Sequence, residues 1–228
     1  SIWVWTQTTQ KAYKGLNSGR QIQFRNEDYN SIVDKMDLNI DNKSKFYRPR
    51  GITTTYGNEA LIYQVLGTTA EVQSIENQDM IAGRFLNEDD EKQVRKVAII
   101  SAKIKREAFK KIENPVGEII KISNISFQVV GVYKEKGGDQ EEDRIFIPVT
   151  TAQRVFNGAD KLDNLSFTLP AAENFDKSVQ QSVAFKSKVA SFLKQKHSIA
   201  PDDQGGVGMY SPMEEAKRFY SLTTNIKL

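Results

Sequence analysis

Polar and apolar residues alternate along Arg20-Gln21-Ile22-Gln23-Phe24-Arg25, the period-two pattern of a half-buried strand. The spacing then widens. Tyr29, Ile32, Val33 and Met36 recur at helical intervals, which predicts a helix over 26–36 capped by Asn26, with Glu27 and Asp28 in its first turn. Two strand-like stretches over 47–56 and 59–66 flank Gly57-Asn58, a hairpin signal. Thr68-Thr69-Ala70-Glu71 has capping-box spacing and predicts a short helix running toward Asn77.

The character changes near Gly83. Residues 97–100 are a short, wholly apolar run, as expected of a strand buried on both faces. Ile104, Ala108, Phe109 and Ile112 give one apolar face to a helix over 102–112, and Asn114-Pro115 stops it. Stretches 118–122 and 127–133 predict a hairpin around Ser123-Asn124, and 144–149 another strand. Thr150-Thr151-Ala152-Gln153 again has capping-box spacing before a helix.

In the last third, 164–169 and 207–210 predict strands. Phe175, Val179, Val183, Val189, Phe192 and Leu193 stripe a long helix over 175–196. Ser211-Pro212-Met213-Glu214 then opens the final helix with three agreeing signals: a serine cap, proline at the first helical position, and glutamate two residues after it. Carried on to Leu228, that helix would be about 27 Å long. Phe219 lies midway along it. The order of elements predicts an α+β fold of two lobes. Its base comes from 1–80 and 161–228, and 81–160 is inserted as a separate lobe.

The 228 residues carry 32 basic and 29 acidic side chains, a formal charge of +3. That small, dispersed excess gives no clustered basic face, so no nucleic-acid partner is expected. No apolar run is long enough to span a bilayer, and the opening Ser1-Ile2-Trp3-Val4-Trp5 lacks the features of a signal peptide. Trp3 and Trp5 suit either a membrane–water interface or the core of a first strand. With a final helix that reads as cut off in mid-course, they suggest a segment excised from a longer chain.

The chemistry of catalysis is sparse. With no cysteine, thiol nucleophiles and thiolate metal sites are excluded. The one histidine, His197, follows Lys194 and Lys196 at a helix C-terminus, where the dipole favours a cation and an exposed ring. The acidic runs Glu88-Asp89-Asp90-Glu91 and 139–143 lack calcium-loop spacing and read as solvated loops. Gly137-Gly138 and Gly205-Gly206 lack the lysine and context of a P-loop. No cofactor or metal is expected. The basic helix carrying Lys186, Lys188, Lys194 and Lys196 reads as a solvated face, with an anionic-partner surface as the alternative. The loop holding Gly137, Gly138, Asp139, Glu141, Glu142 and Asp143 is a candidate partner contact, with a solvated hairpin tip as the plainer reading.

Several segments, in order, resemble MacB-type periplasmic core domains of ABC transporter permeases. They are Val65-Leu66-Gly67-Thr68-Thr69-Ala70-Glu71, Gly83-Arg84-Phe85-Leu86 followed by acids, Val97-Ala98-Ile99-Ile100-Ser101, Val116-Gly117-Glu118-Ile119-Ile120-Lys121-Ile122 with Phe127-Gln128-Val129-Val130-Gly131-Val132, and Ile145-Phe146-Ile147-Pro148-Val149-Thr150-Thr151-Ala152-Gln153. One departure is Glu118-Ile119, where a glycine-lysine or similar pair is common. The resemblance implies a porter-like base with an inserted Sabre-like lobe, on the periplasmic side of the bacterial inner membrane. It implies a non-catalytic domain within a dimeric permease, driven by a cytoplasmic ATPase that is fused or separate. The partners it implies are the rest of the permease, a periplasmic adaptor and an outer-membrane channel. Trp3, Trp5, Ser211, Pro212, Glu214 and Phe219 become the membrane-proximal, force-transmitting residues. Relatives in the same superfamily instead release lipoproteins or, as FtsX-like permeases do, regulate cell-wall hydrolases. A free-standing periplasmic enzyme or lipid-binding protein remains the reading from another class.

Overall fold

The structure, a computed structural model, describes residues 1–136 and 143–226. In chain order it begins with β1 (Ile2–Thr6), β2 (Phe24–Arg25), α1 (Asn26–Asn30), a π turn over Ser31–Lys35, and β3 (Asn42–Phe46). Next come β4 (Thr54–Tyr56), β5 (Glu59–Leu61), β6 (Gln64–Thr68), α2 (Val72–Ile75), β7 (Gln78–Gly83) and α3 (Glu88–Lys92). The middle continues with β8 (Val97–Ser101), α4 (Ala102–Ala108), β9 (Ile119–Ile122), β10 (Ile125–Glu135), β11 (Arg144–Pro148) and α5 (Val149–Val155). The last part holds β12 (Lys161–Leu162), β13 (Asn164–Thr168), α6 (Phe175–Lys196), β14 (Val207–Tyr210) and α7 (Pro212–Asn225). The α+β class read from the sequence is the class observed.

Two compact units divide the chain: Ser1–Lys43 with Leu162–Leu228, and Ser44–Lys161. The sequence layout instead gave residues 1–80 to the base. The physical reason for the difference is strand pairing at long range. β4 pairs with β9, β6 with β11 and β7 with β10, so the strands from Thr54 to Gly83 complete the second unit's sheet.

The first unit is built on a sheet in the order β14-β1-β13-β3. Register sets Ile2 opposite Phe167 and Val4 opposite Leu165, and all four side chains are buried. The helix α6 covers that face. Its buried positions Val179, Ser182, Phe185, Val189 and Leu193 recur every three or four residues, and Phe185 meets Phe167 with ring centroids 5.3 Å apart. Asn174 starts α6 by accepting the Lys177 N–H at 2.9 Å. The predicted strand over 20–25 shrinks to Phe24–Arg25. The helix after it is capped by Arg25 rather than Asn26, with the Asp28 carboxylate accepting the Arg25 N–H at 2.8 Å.

The second unit carries a mixed sheet, β5-β4-β9-β10-β8-β11-β6, with β7 also paired to β10. Among the described residues, its parallel pairs are β10–β8 and β11–β6. Every residue of β8 is buried, as its apolar run predicted. Ser123 (φ 47°) and Asn124 (φ 66°) turn the β9–β10 hairpin, the left-handed pair a two-residue hairpin loop requires.

Neither threonine capping box forms. Thr68 and Thr69 hydroxyls instead meet Ser44 Oγ at 3.0 and 2.8 Å, and Thr150 and Thr151 donate to the Glu91 and Arg95 carbonyls. The first acidic run is not a solvated loop. It forms α3, and Asp90 is fully buried, held by Arg84 at 2.7 and 3.1 Å and by Arg95 at 3.3 Å. Burial disfavours its charge, but these donors prevail and hold its carboxyl below the usual range. Glu91, lacking such donors, is pushed up to about 7 by burial, against the opposing field of Lys45.

Candidate functional site at the root of the final helix

The helix α7 starts where the sequence placed it, with Ser211 as N-cap and Pro212 in the first turn. The Ser211 side chain does not cap the helix. It is buried and joins a polar cluster with α6. Ser182 Oγ lies 3.2 Å from Ser211 Oγ and donates to Glu214 Oε2 at 2.9 Å. Lys186 Nζ approaches the same Glu214 oxygen at 3.2 Å. One turn further on, Lys217 Nζ lies 3.4 Å from Asp176 Oδ1. The carboxylate thus accepts charge-assisted bonds from two α6 side chains, each kind worth roughly 1.5–3 kcal/mol. The exposed Lys217 pair adds less than about 1 kcal/mol.

Among the described residues, α7 has no buried apolar side chain beyond that root. None of its residues is buried, and Phe219, Tyr220, Leu222 and the following Ile226 are all exposed. At about 1.5 Å per residue, Pro212–Asn225 is roughly 21 Å long. It stops short of the full span expected to Leu228, and Lys227 and Leu228 lie outside the described residues.

The other expected site residues fall elsewhere. Trp3 and Trp5 point to one face of β1, half-buried, and register sets Trp3 opposite Tyr210, the residue before Ser211. A Cβ on Gly208 would come within 2.3 Å of the Trp5 indole, so glycine is what lets β14 pass beneath that ring. Of the candidate partner loop, Gly137, Gly138, Asp139, Glu141 and Glu142 lie outside the described residues. Asp143 is described, and its carboxylate sits 2.7 Å from Lys103 Nζ.

His197 is not the exposed ring its position suggested. Its Nε2 stands 3.1 Å from each oxygen of the fully buried Asp28, and Lys196 Nζ reaches the same carboxylate at 3.1 Å. Burial works against the Asp28 charge, but the His197 contact, the Arg25 N–H and Lys196 outweigh it and hold the carboxyl below its ordinary value. The pairing fastens α1 to the end of α6. Among the described residues no cluster of acidic or histidine side chains is placed to hold a metal ion, and no helix is long and apolar enough to cross a membrane.

Sequence reasoning found Ser211 and Glu214 through their local capping pattern. It missed Ser182 and Lys186, which share one face of α6 by their spacing of four but show nothing in sequence of a partner some thirty residues away.

A family model described as MacB-like periplasmic core domain matches residues 2–184, ending within α6. The macrolide export ATP-binding/permease protein MacB of Bdellovibrio bacteriovorus is 29% identical over 191 residues, which is 82% of this chain and 28% of that protein. The pyoverdine export ATP-binding/permease protein PvdT of Pseudomonas syringae pv. syringae is 34% identical over 132 residues, 56% of this chain and 20% of that protein. The chain therefore spans less than a third of the length of these relatives. Among solved structures, the periplasmic region of MacB from Actinobacillus actinomycetemcomitans superposes with a TM-score of 0.73 at 16% identity, covering 96% of this chain and 92% of that one. The extracellular domain of the transporter YknZ from Gram-positive bacteria gives 0.70 at 18% identity, covering 92% and 99%. At these identities the superpositions establish a shared fold.

Proposed function

The chain belongs to the MacB-like periplasmic core domain family, and from that premise we propose that it relays ATP-driven movement in an ABC transporter permease to the export of cargo. The domain works on the periplasmic side of the inner membrane as half of a dimeric permease. It performs no chemistry of its own. ATP is hydrolysed by the cytoplasmic ATPase of the same transporter, and cargo leaves through a periplasmic adaptor and an outer-membrane channel. The export named in both curated relatives favours this reading over lipoprotein release or hydrolase regulation. We assign the porter-like role to the unit carrying α7 and the Sabre-like role to the unit over Ser44–Lys161.

The observation that carries the reading is the way α7 is held. A helix moves as a rigid rod, and among the described residues this one is fastened to its unit at the root, through Ser182, Ser211, Glu214 and Lys186, with the weaker Lys217–Asp176 pair one turn further on. Displacing its far end therefore loads that cluster first and α6 through it.

The test is a charge swap in the intact transporter. Glu214→Lys lowers export about tenfold while ATP hydrolysis stays within about twofold, in keeping with couplings of 1–3 kcal/mol between sites. Adding Lys186→Glu restores much of the lost export by rebuilding the pair in reverse. Unchanged export in Glu214→Lys, or equal loss of hydrolysis and export, contradicts the relay.

A further inference from the structure

Away from the α7 root, a cleft of about 540 Å3 opens in the first unit between the outer side of α6 and the turn at Tyr13 and Lys14. That volume lies in the range of roughly 300–1,000 Å3 found for small-molecule sites. Its lining mixes the apolar Ala190, Ile199 and Pro201 with the polar Ser187, Ser191 and Gln195. Its charged lining residues are Lys14 and Lys194, and among the described residues no carboxylate lines it. Lys194 Nζ donates to the Pro201 carbonyl at 3.2 Å. That bond parks the ammonium at the cleft edge and leaves up to two further N–H donors for an incoming acceptor.

The cleft is preformed. Tyr13 and Leu16 exchange backbone hydrogen bonds of 3.0 and 2.9 Å, and Lys14 (φ 49°) and Gly15 (φ 77°) both adopt the left-handed conformation that closes so tight a turn. The loop carrying the turn is anchored by Asp203, a buried residue. Its carboxylate accepts the N–H groups of Gln10 and Lys11 at 3.0 Å and of Gly205 at 2.8 Å. Lys14 Nζ in turn lies 5.4 Å from the centre of the Tyr13 ring, so cation and aromatic face are presented together.

We propose that this cleft binds a small organic anion, a carboxylate, sulfonate or phosphate carried on a flat apolar body. The charged head meets Lys14 and Lys194, unopposed by any acid of the lining, and the body lies against Tyr13, Ile199 and Pro201. A wholly apolar ligand would leave two ammonium groups with nothing to gain. A bare inorganic ion would leave the apolar lining residues and the tyrosine unused. The site stands independently of the relay through α7.

The probe is 1-naphthoate, titrated into this chain labelled with nitrogen-15 and followed by amide shifts. The expected result is a cluster of shifts at Tyr13, Lys14, Ala190 and Lys194, weakening as salt is raised. Affinity falls about tenfold or more in Lys14→Gln/Lys194→Gln, and equally for the neutral 1-naphthamide on the unaltered chain, as loss of charge-assisted contacts requires. The amide arm keeps the test sound if the double variant folds poorly. Shifts scattered over the surface, equal affinity for the amide, or inorganic phosphate binding as tightly as naphthoate overturns the proposal. So does an acidic peptide that shifts these residues where naphthoate does not.

Discussion

Two neighbouring helices of the same unit are held in opposite ways. Over its 22 residues α6 buries five positions, four of them apolar, whereas the 14 residues of α7 bury none. Apolar burial is non-directional and tolerates small shifts only at the cost of opening a close-packed interior. A cluster such as Ser182–Ser211–Glu214–Lys186 is directional and local. The difference marks α6 as part of the folded body, whereas α7 exposes Phe219, Tyr220 and Leu222, which contribute little to folding; the proposed relay uses α7 as its lever.

The sharpest way to break that contrast is to truncate one aromatic in each helix. Phe185→Ala is expected to cost about 3–5 kcal/mol, and Phe219→Ala less than about 0.5 kcal/mol, both read from urea unfolding of this chain. Similar losses at the two positions would erase the distinction. Next in size is the anchor at the far end of α6. Asp28→Ala strips His197 and Lys196 of a buried partner and should cost about 3 kcal/mol.

The same anchor has a pH signature. Asp28 has its folded-state pKa lowered from 3.8, so near that pH the unfolded chain binds the extra proton. The stability Asp28 provides is present above that value and lost as pH falls through the lower folded-state one. Unfolding curves between pH 5 and about 2 should show the loss in the parent chain and a flatter profile in Asp28→Asn. The α7 root sits lower on the scale. Glu214→Gln should cost about 1–2 kcal/mol, and a cycle with Lys186→Met should show the two changes to be non-additive. Additive effects would mean that the pair does not couple the helices. The smallest effect belongs to Lys217→Met, within about 0.5 kcal/mol in the isolated chain.

What the sequence discloses is local. The bounds of α6 and β14 match the stripe over 175–196 and the run over 207–210, and α7 begins at Pro212, because periodicity and capping are written within a few residues of each boundary. Contacts over long separations are not written that way. Nothing near His197 announces Asp28, 169 positions away, and nothing near Thr68 announces Ser44, so the ring was expected in solvent and the threonine in a cap. Residues 44–80 are assigned to the base because their alternation shows strands without showing partners, and β9, β10 and β11 supply those partners. Asp90 illustrates the same limit, an acid in a charged run that two arginines draw inside. At the site, Ser211 and Glu214 were legible through the start of their own helix. Ser182 and Lys186 were not, since only the packing of α6 beside α7 gives them a role.

The relay is tested most directly by interrupting the lever just past its root. In the intact transporter, Lys217→Pro removes a backbone donor and clashes with the preceding turn, breaking the helix while leaving Ser211 and Glu214 in place. The account predicts ATP hydrolysis within about twofold of the parent and export reduced about tenfold or more. Export at the parent rate from a transporter carrying that proline would contradict it.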